Sequence, residues 1–154
     1  DLAAQIETTG KGHKGIYVGG AIELHDGTII TGKNSPMMHA ASSIIINAIK
    51  HLAGIPDSIH LLSPSIVASV KEFKKDILDE RSASMDLEQT LIMLAIGAMT
   101  NPSAQTAVEK LRELRGCEAH MTHIPSLGDE SGFRKLGINL TTDPNYAANK
   151  LFTG

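Results

Sequence analysis

Hydrophobic and polar positions follow two different periods along the chain. Two β-prone runs flank the turn-forming Asp26-Gly27 pair, which predicts a β-hairpin over 16–31. Downstream, segments with helical periodicity alternate with short apolar runs typical of buried strands. The predicted helices cover 36–53, 64–80, 86–100, 102–115 and 129–136. The predicted later strands cover 59–62, 117–123 and 138–141.

Capping residues mark the boundaries of these helices. Ser35, Ser63 and Asn101 each precede a proline, which suits the first position of a helix. Glycines follow three of the periodic segments, where a left-handed C-terminal cap is expected. These are Gly54, Gly116 and Gly137. The pattern predicts an α/β fold, a three-layer α/β/α domain whose mixed sheet starts from the hairpin.

The first fifteen residues differ from the rest of the chain. Residues 1–9 are typical of the end of a helix, and the glycine-rich stretch 10–15 predicts a flexible connection. The remaining residues, 16–154, are predicted to form a single α/β domain, since 154 residues can bury a full core. We expect the chain to be one domain of a longer protein.

Composition excludes several classes of partner. Lys and Arg number 14 against 17 Asp and Glu, a net charge of −3, and aromatic residues make up 3% of the chain. Neither a basic surface nor stacking platforms for nucleic acid are therefore expected. The longest apolar run, 91–99, is too short to span a membrane, and the first residues lack the basic-then-apolar pattern expected of a signal peptide. With a single cysteine, Cys117, these features predict a cytoplasmic protein.

Lys33, Asn34 and Ser35 form the first candidate site. They place a cation, an amide and a hydroxyl before a predicted apolar helix, whose free amides and dipole favour an anion. The predicted ligand is a phosphorylated or nucleotide-like small molecule. The alternative is plain capping, in which Ser35 accepts a hydrogen bond from the helix and Lys33 is solvated.

The order of elements after the hairpin resembles that of the zinc nucleoside and base deaminases. Their signature is His-x-Glu followed, after a strand, by Pro-Cys-x-x-Cys. His39 matches the histidine, but Ala41 stands in place of the glutamate, and Ser65 and Ala68 stand in place of the cysteines. The resemblance implies a cytidine-deaminase-like arrangement without its zinc ligands, in which Asn34 falls at a substrate-contacting position.

These residues are compatible with two classes of function. One is a non-catalytic domain that binds a small anion or supports assembly. The other is a hydrolase or transferase that acts on a phosphorylated or nucleotide-like molecule through His39, Asn34 and Ser65, although His39 as a silent core residue fits equally. Neither a cofactor nor a metal is predicted, because His120 and His123 point to opposite faces of a strand.

A second feature concerns assembly. Residues 87–99 are predicted to form a helix with no polar face, in addition to the apolar helix 36–53. Two such helices are hard to enclose in one domain of this size. We expect coverage by a second copy in a homo-oligomer or by an N-terminal domain of a longer protein, unless helix 102–115 and loop 80–86 fold over it.

Several long stretches resemble one bacterial family. They include the glycine-rich segment 10–15, Ala21-Ile-Glu-Leu-His-Asp-Gly-Thr-Ile-Ile-Thr-Gly-Lys-Asn-Ser-Pro36 and Thr100-Asn-Pro-Ser-Ala104. The chain is similar to the C-terminal part of the family called domain of unknown function 1846, or uncharacterised protein family 0371. The resemblance implies that the chain is one part of a longer protein. No activity follows from the resemblance.

Overall fold

The structure is a computed structural model that describes residues 19–81 and 83–144. Its strands are β1 (Gly19–Glu23), β2 (Ile29–Lys33), β3 (Glu118–Met121) and β4 (Asn139–Thr142). Its α-helices are α1 (Ala40–Ala53), α2 (Pro64–Asp76), α3 (Leu87–Gly97), α4 (Pro102–Glu109) and α5 (Leu127–Leu136). A 3₁₀ turn, Lys110–Leu114, continues α4. No described helix is long and apolar enough to cross a membrane.

The four described strands form one mixed sheet in the order β2-β1-β3-β4. β1 pairs antiparallel with both β2 and β3, whereas β3 and β4 run parallel. The β1–β2 turn follows its sequence, because Thr28 N–H donates to Asp26 Oδ1 at 2.9 Å and Gly27 takes a positive φ of 91°. The predicted hairpin is confirmed over 19–33, and residues 16–18 lie outside the described part.

Two glycines let helix α1 lie directly against this hairpin. A Cβ on Gly32 would come within 2.6 Å of the backbone nitrogen of Ile44, and a Cβ on Gly20 would meet the Ile44 side chain at 2.7 Å. Ile44 itself is fully buried in the core, together with Ile22 and Met121 of the sheet. The glycines therefore bring α1 and β2 close enough to frame one side of a cavity.

The α/β class with a mixed sheet is confirmed. Helices α1 and α5 pack on the sheet, and Phe133 of α5 lies in the same buried cluster as Ile44 of α1 and Ile22 of the sheet. Helices on the opposite face stay a prediction, because residues 1–18 and 145–154 fall outside the described ranges. The cytidine-deaminase-like arrangement likewise stays a prediction.

The predicted start of the first helix at 36 is wrong, since α1 begins at Ala40. Residues 36–39 are instead held in a bend by the segment before α3. His39 N–H donates to the Met85 carbonyl at 2.8 Å, and Met85 N–H donates to the Met37 carbonyl at 3.0 Å. These long-range hydrogen bonds outweigh the local preference of Pro36 for a first helical turn.

The predicted strand 59–62 is also wrong, because these residues form bends. Side chains bind the carbonyl groups that a strand would offer to a neighbour. Lys50 Nζ donates to the Ile59 carbonyl at 2.6 Å, and Asn101 Nδ2 donates to the Leu61 carbonyl at 3.5 Å. The segment becomes a wall of the cavity instead of an edge of the sheet.

The proline starts of two other helices are confirmed. Helix α2 begins at Pro64 after Ser63, and α4 begins at Pro102 after Asn101. The Asn101 side chain accepts hydrogen bonds from the N–H groups of Ser103 and Ala104, as expected of an N-cap.

Candidate functional site

A cavity of about 540 Å³ lies between β2, helix α1 and the segment 60–67. This volume is typical of small-molecule sites. One wall comes from the end of β2 and the bend after it, the floor from α1, and the other wall from the segment that leads into α2. The lining residues that carry polar side chains are Thr31, Lys33, Asn34, Ser35, Ser43, Asn47, Lys50 and His60.

Helix α1 presents a polar stripe to this cavity. Ser43, Asn47 and Lys50 follow one another at spacings of four and three residues, which places them on one side of the helix. The opposite side carries Ile45 and Ile49, both fully buried in the core. The helix is therefore amphipathic, and its polar side faces the cavity. The sequence pattern predicts instead a helix that is apolar nearly all round and enclosed by other layers.

Lys50 is the most unusual side chain of the site. It is only 7% exposed, and its Nζ donates to the carbonyls of Asp57 at 2.9 Å and Ile59 at 2.6 Å. Among the described residues it has no ion pair with a carboxylate. A buried ammonium carries three donors, so two carbonyl bonds leave one donor unused on a cation without a counter-ion.

The rest of the lining adds positive charge and no negative charge. Lys33 ends β2 with an exposed side chain that forms neither a hydrogen bond nor an ion pair with the described residues. The His60 ring also lines the cavity. None of the described lining residues is Asp or Glu. The cavity therefore favours an anion electrostatically.

Asn34 and Ser35 line the cavity, but their side chains already accept hydrogen bonds from the backbone. Asn34 Oδ1 accepts a hydrogen bond from Ala40 N–H at 2.6 Å, which caps α1. Ser35 Oγ accepts hydrogen bonds from the N–H groups of Met37 and Met38 at 3.2 and 3.1 Å. The cap of α1 therefore comes from Asn34, whereas Ser35 holds the bend before the helix, and Lys33 is the freely available member of the predicted trio.

His39 and Ser65 are separate from this cavity, because neither lines it. Ser65 Oγ lies 3.0 Å from Ser63 Oγ at the exposed start of α2. His39 precedes α1, and its Nδ1 lies 2.9 Å from Asp129 Oδ2. The structure thus does not bring His39, Asn34 and Ser65 together as one catalytic group.

His39 belongs instead to a closed polar cluster with Asp129 and His123. The Asp129 carboxylate is 1% exposed and also accepts a hydrogen bond from Leu87 N–H at 2.9 Å, at the start of α3. His123 is buried, and its Nδ1 has no hydrogen-bond partner among the described residues. Burial lowers the pKa of His123, against an opposing effect of the Asp129 charge.

The remaining candidate ligands are dispersed. His120 lies on the sheet, with Nδ1 at 2.7 Å from Thr141 Oγ1 and Nε2 at 3.1 Å from Asp143 Oδ1. Cys117 is buried, and burial raises the pKa of its thiol, which disfavours the reactive thiolate. Within the described ranges no three His, Cys, Asp or Glu side chains converge on a position that could hold a metal ion.

Sequence reasoning missed Ser43, Asn47, Lys50 and His60 as members of the site. A signal for three of them exists, because they are the polar positions at helical spacing within an otherwise apolar helix. His60 had no such signal, since the segment that carries it is bent by tertiary contacts.

Comparison with known proteins places the chain in a family. The model of the family described as "Domain of unknown function DUF1846, C-terminal" matches residues 2–152. The chain belongs to the DUF1846 family. The predicted family is thereby confirmed, and the description of this family assigns no function to the domain.

Curated relatives of the DUF1846 chain are clostridial proteins described as UPF0371 proteins. One from Clostridium botulinum strain Alaska E43 is 48% identical over 132 residues, which are 86% of this chain and 26% of the relative. One from Clostridium tetani strain Massachusetts is 47% identical over 137 residues, 89% of this chain and 27% of the relative. The chain therefore spans about a quarter of the length of the curated relatives it matches.

Proposed function

We propose that this domain binds a small organic anion, a phosphorylated or nucleotide-like molecule, in the cavity beside α1 without catalysing a reaction on it. The observation that carries the proposal is the pair Lys33 and Lys50 in a lining whose described residues include no carboxylate. A buried ammonium without a counter-ion is costly, and a bound anion would compensate it. Because a phosphorylated metabolite is an intracellular ligand, we also place the protein in the cytoplasm.

The binding role is favoured over the enzyme alternative by the position of His39. Its Nδ1 is engaged by Asp129, and the ring does not line the cavity. A general base must lie within hydrogen-bond reach of the substrate proton that it removes. The cavity itself offers cations and hydroxyl or amide groups, which suit recognition.

Isothermal titration calorimetry with adenosine monophosphate and ribose 5-phosphate tests this proposal. We expect Lys50→Met to weaken binding at least about tenfold, because a charge-assisted hydrogen bond is lost. Lys75→Met is the matched control, since Lys75 is exposed on α2 and does not line the cavity. Equal binding by the two variants would contradict the proposal.

A role in assembly is a second candidate, supported by the outer face of α3. Ile92, Ile96 and Met99 follow the helical repeat and are 61%, 57% and 80% exposed, whereas Leu87 and Leu94 face the core. An exposed apolar stripe of this kind marks a contact surface. Within the described residues, helix 102–115 and the neighbouring loop leave these three side chains exposed.

The occupant that we propose for this face is the N-terminal remainder of the longer family protein. A stable dimer buries about 800 Å² on each partner, more than three side chains on an 11-residue helix supply. A tethered domain can use a smaller contact because its effective concentration is high. Light scattering on this chain is expected to report a monomer, and a dimer that Ile96→Glu dissociates would favour the second copy.

A further inference from the structure

We propose that the anion bound in the cavity carries a flexible aliphatic body, such as an alkyl or acyl phosphate, and that no divalent metal takes part in its binding. The inference rests on the proposed function and specifies the class of ligand. Its basis is the chemistry of the apolar walls, together with the donor left unused on Lys50.

The apolar walls of the cavity are aliphatic or thioether in character. The side chains that form them are Met37, Met38, Ile46, Leu61, Leu62 and Val67. Methionine is flexible and polarisable, so it adapts to ligands without a fixed flat shape. Walls of this kind gain affinity mainly by removing methylene groups from water, about fourfold for each methylene buried.

Platforms for a nucleobase are missing from the described lining. Nucleobases gain much of their affinity by stacking on aromatic side chains. The two phenylalanines of the described ranges are elsewhere, since Phe73 is exposed on α2 and Phe133 is buried in the core. His60 is the only aromatic ring of the described lining, and one exposed imidazole is a weak stacking partner.

The polar end of the ligand is explained by Lys50 and Lys33. Lys50 Nζ is held by the carbonyls of Asp57 and Ile59, so one of its three donors has no partner among the described residues and can serve an anionic oxygen. Lys33 lines the same cavity and has no competing partner among the described residues. Because the described lining holds no carboxylate to bind Mg²⁺, the protein cations alone neutralise the head group.

The test compares head groups and bodies in one calorimetric series with EDTA present. The probes are methyl phosphate, hexyl phosphate, adenosine monophosphate and the uncharged hexyl glucoside. We expect hexyl phosphate to bind at least about tenfold more tightly than the other three, because only it combines the anion with a chain that fits the walls.

Other results of this series would overturn the further inference, the proposed function or both. Adenosine monophosphate that binds as tightly as hexyl phosphate, and loses affinity in Lys50→Met, would overturn the aliphatic body and leave the proposed function standing. Hexyl glucoside equal to hexyl phosphate, or no binding by any probe, would overturn both. Binding of a phosphate only after Mg²⁺ is added would overturn the metal-free inference alone.

Substitutions in the cavity wall test the aliphatic body of the ligand independently. Met37→Gln keeps the size of the side chain but adds a polar group, and we expect it to weaken hexyl phosphate several-fold while methyl phosphate is unaffected. Met99→Gln is the matched control, because Met99 is exposed after α3 and does not line the cavity. Ile46→Ala tests the same wall without a new polar group. Retained hexyl phosphate affinity in both folded variants would contradict the aliphatic body.

Discussion

Two polar groups of side chains lie beside helix α1, and their surroundings differ in kind. The cluster of His39, Asp129 and His123 is closed, and its carboxylate has partners on both oxygens. The cavity cations Lys33 and Lys50 are open to a 540 Å³ space and have no carboxylate partner among the described residues. A carboxylate with partners on both oxygens indicates a structural role for the Asp129–His39 pair, whereas cations that line a cavity and lack a carboxylate partner indicate a ligand.

The sharpest test of this contrast is Asp129→Ala. The variant removes a buried acceptor shared by His39 Nδ1 and Leu87 N–H, at a point where α1, α3 and α5 meet. We expect a loss of about 3 kcal/mol in the free energy of unfolding, measured by urea denaturation. Anion binding by the folded fraction should be unchanged.

Asp76→Ala is the control for that variant, since Asp76 is exposed at the end of α2. A loss below about 1 kcal/mol for Asp129→Ala would contradict a structural role for the closed cluster.

The packing that frames the cavity is tested by Gly32→Ala. The added Cβ would lie 2.6 Å from the Ile44 backbone nitrogen, so α1 must move away from β2. We expect a destabilisation of about 1–3 kcal/mol together with weaker anion binding. Gly97→Ala, at the end of α3, is the matched control and should be neutral or stabilising, because its nearest neighbour is 3.7 Å away.

The pH dependence of stability tests the buried histidine. Burial lowers the pKa of His123 in the folded state below its ordinary value of 6.5, so the unfolded chain binds the proton more readily. The stabilising contribution is therefore complete above pH 6.5 and is lost as the pH falls below that value. As the pH is lowered from 7.5 to 5.5, we expect the urea concentration at the unfolding midpoint to decrease. The accompanying loss in the free energy of unfolding should be smaller than the loss caused by Asp129→Ala.

His123→Leu should show a smaller fall over this range, whereas His51→Leu, on the exposed end of α1, should behave like the unaltered chain. An equal pH dependence in His123→Leu would show that His123 is not its source.

The smallest expected effect distinguishes the two lysines. Lys33 is exposed, so Lys33→Met should weaken anion binding only about threefold, with no change in stability. Lys50 is fixed and buried, and its replacement should cost at least about tenfold. Calorimetry at two salt concentrations checks the order, since added salt should erase the Lys33 contribution first. A larger effect for Lys33 would reverse the assigned roles.

Local sequence signals predicted the parts of this molecule that local contacts determine. The Asp26-Gly27 hairpin and the starts at Pro64 and Pro102 depend on turn and cap chemistry within a few residues. The predicted start at Pro36 was wrong because residues distant in sequence decide it. Met85 binds the segment before α1 through backbone hydrogen bonds that no local pattern reveals.

The candidate site was predicted in part for the same reason. Lys33, Asn34 and Ser35 do line the cavity, since they lie next to both β2 and α1 in sequence. His60 enters it through the bend that Lys50 fixes, which is a tertiary contact. His39 was expected at the site but pairs with Asp129, 90 residues away.

The most direct test of the anion cavity is a map of backbone amide shifts by ¹⁵N NMR as hexyl phosphate is added. We expect the largest shifts at 31–35 and 57–62, and we expect Lys50→Met to need at least about tenfold more hexyl phosphate to reach them. Shifts centred on the shallow groove between α5 and β4, or the absence of saturable shifts, would contradict it.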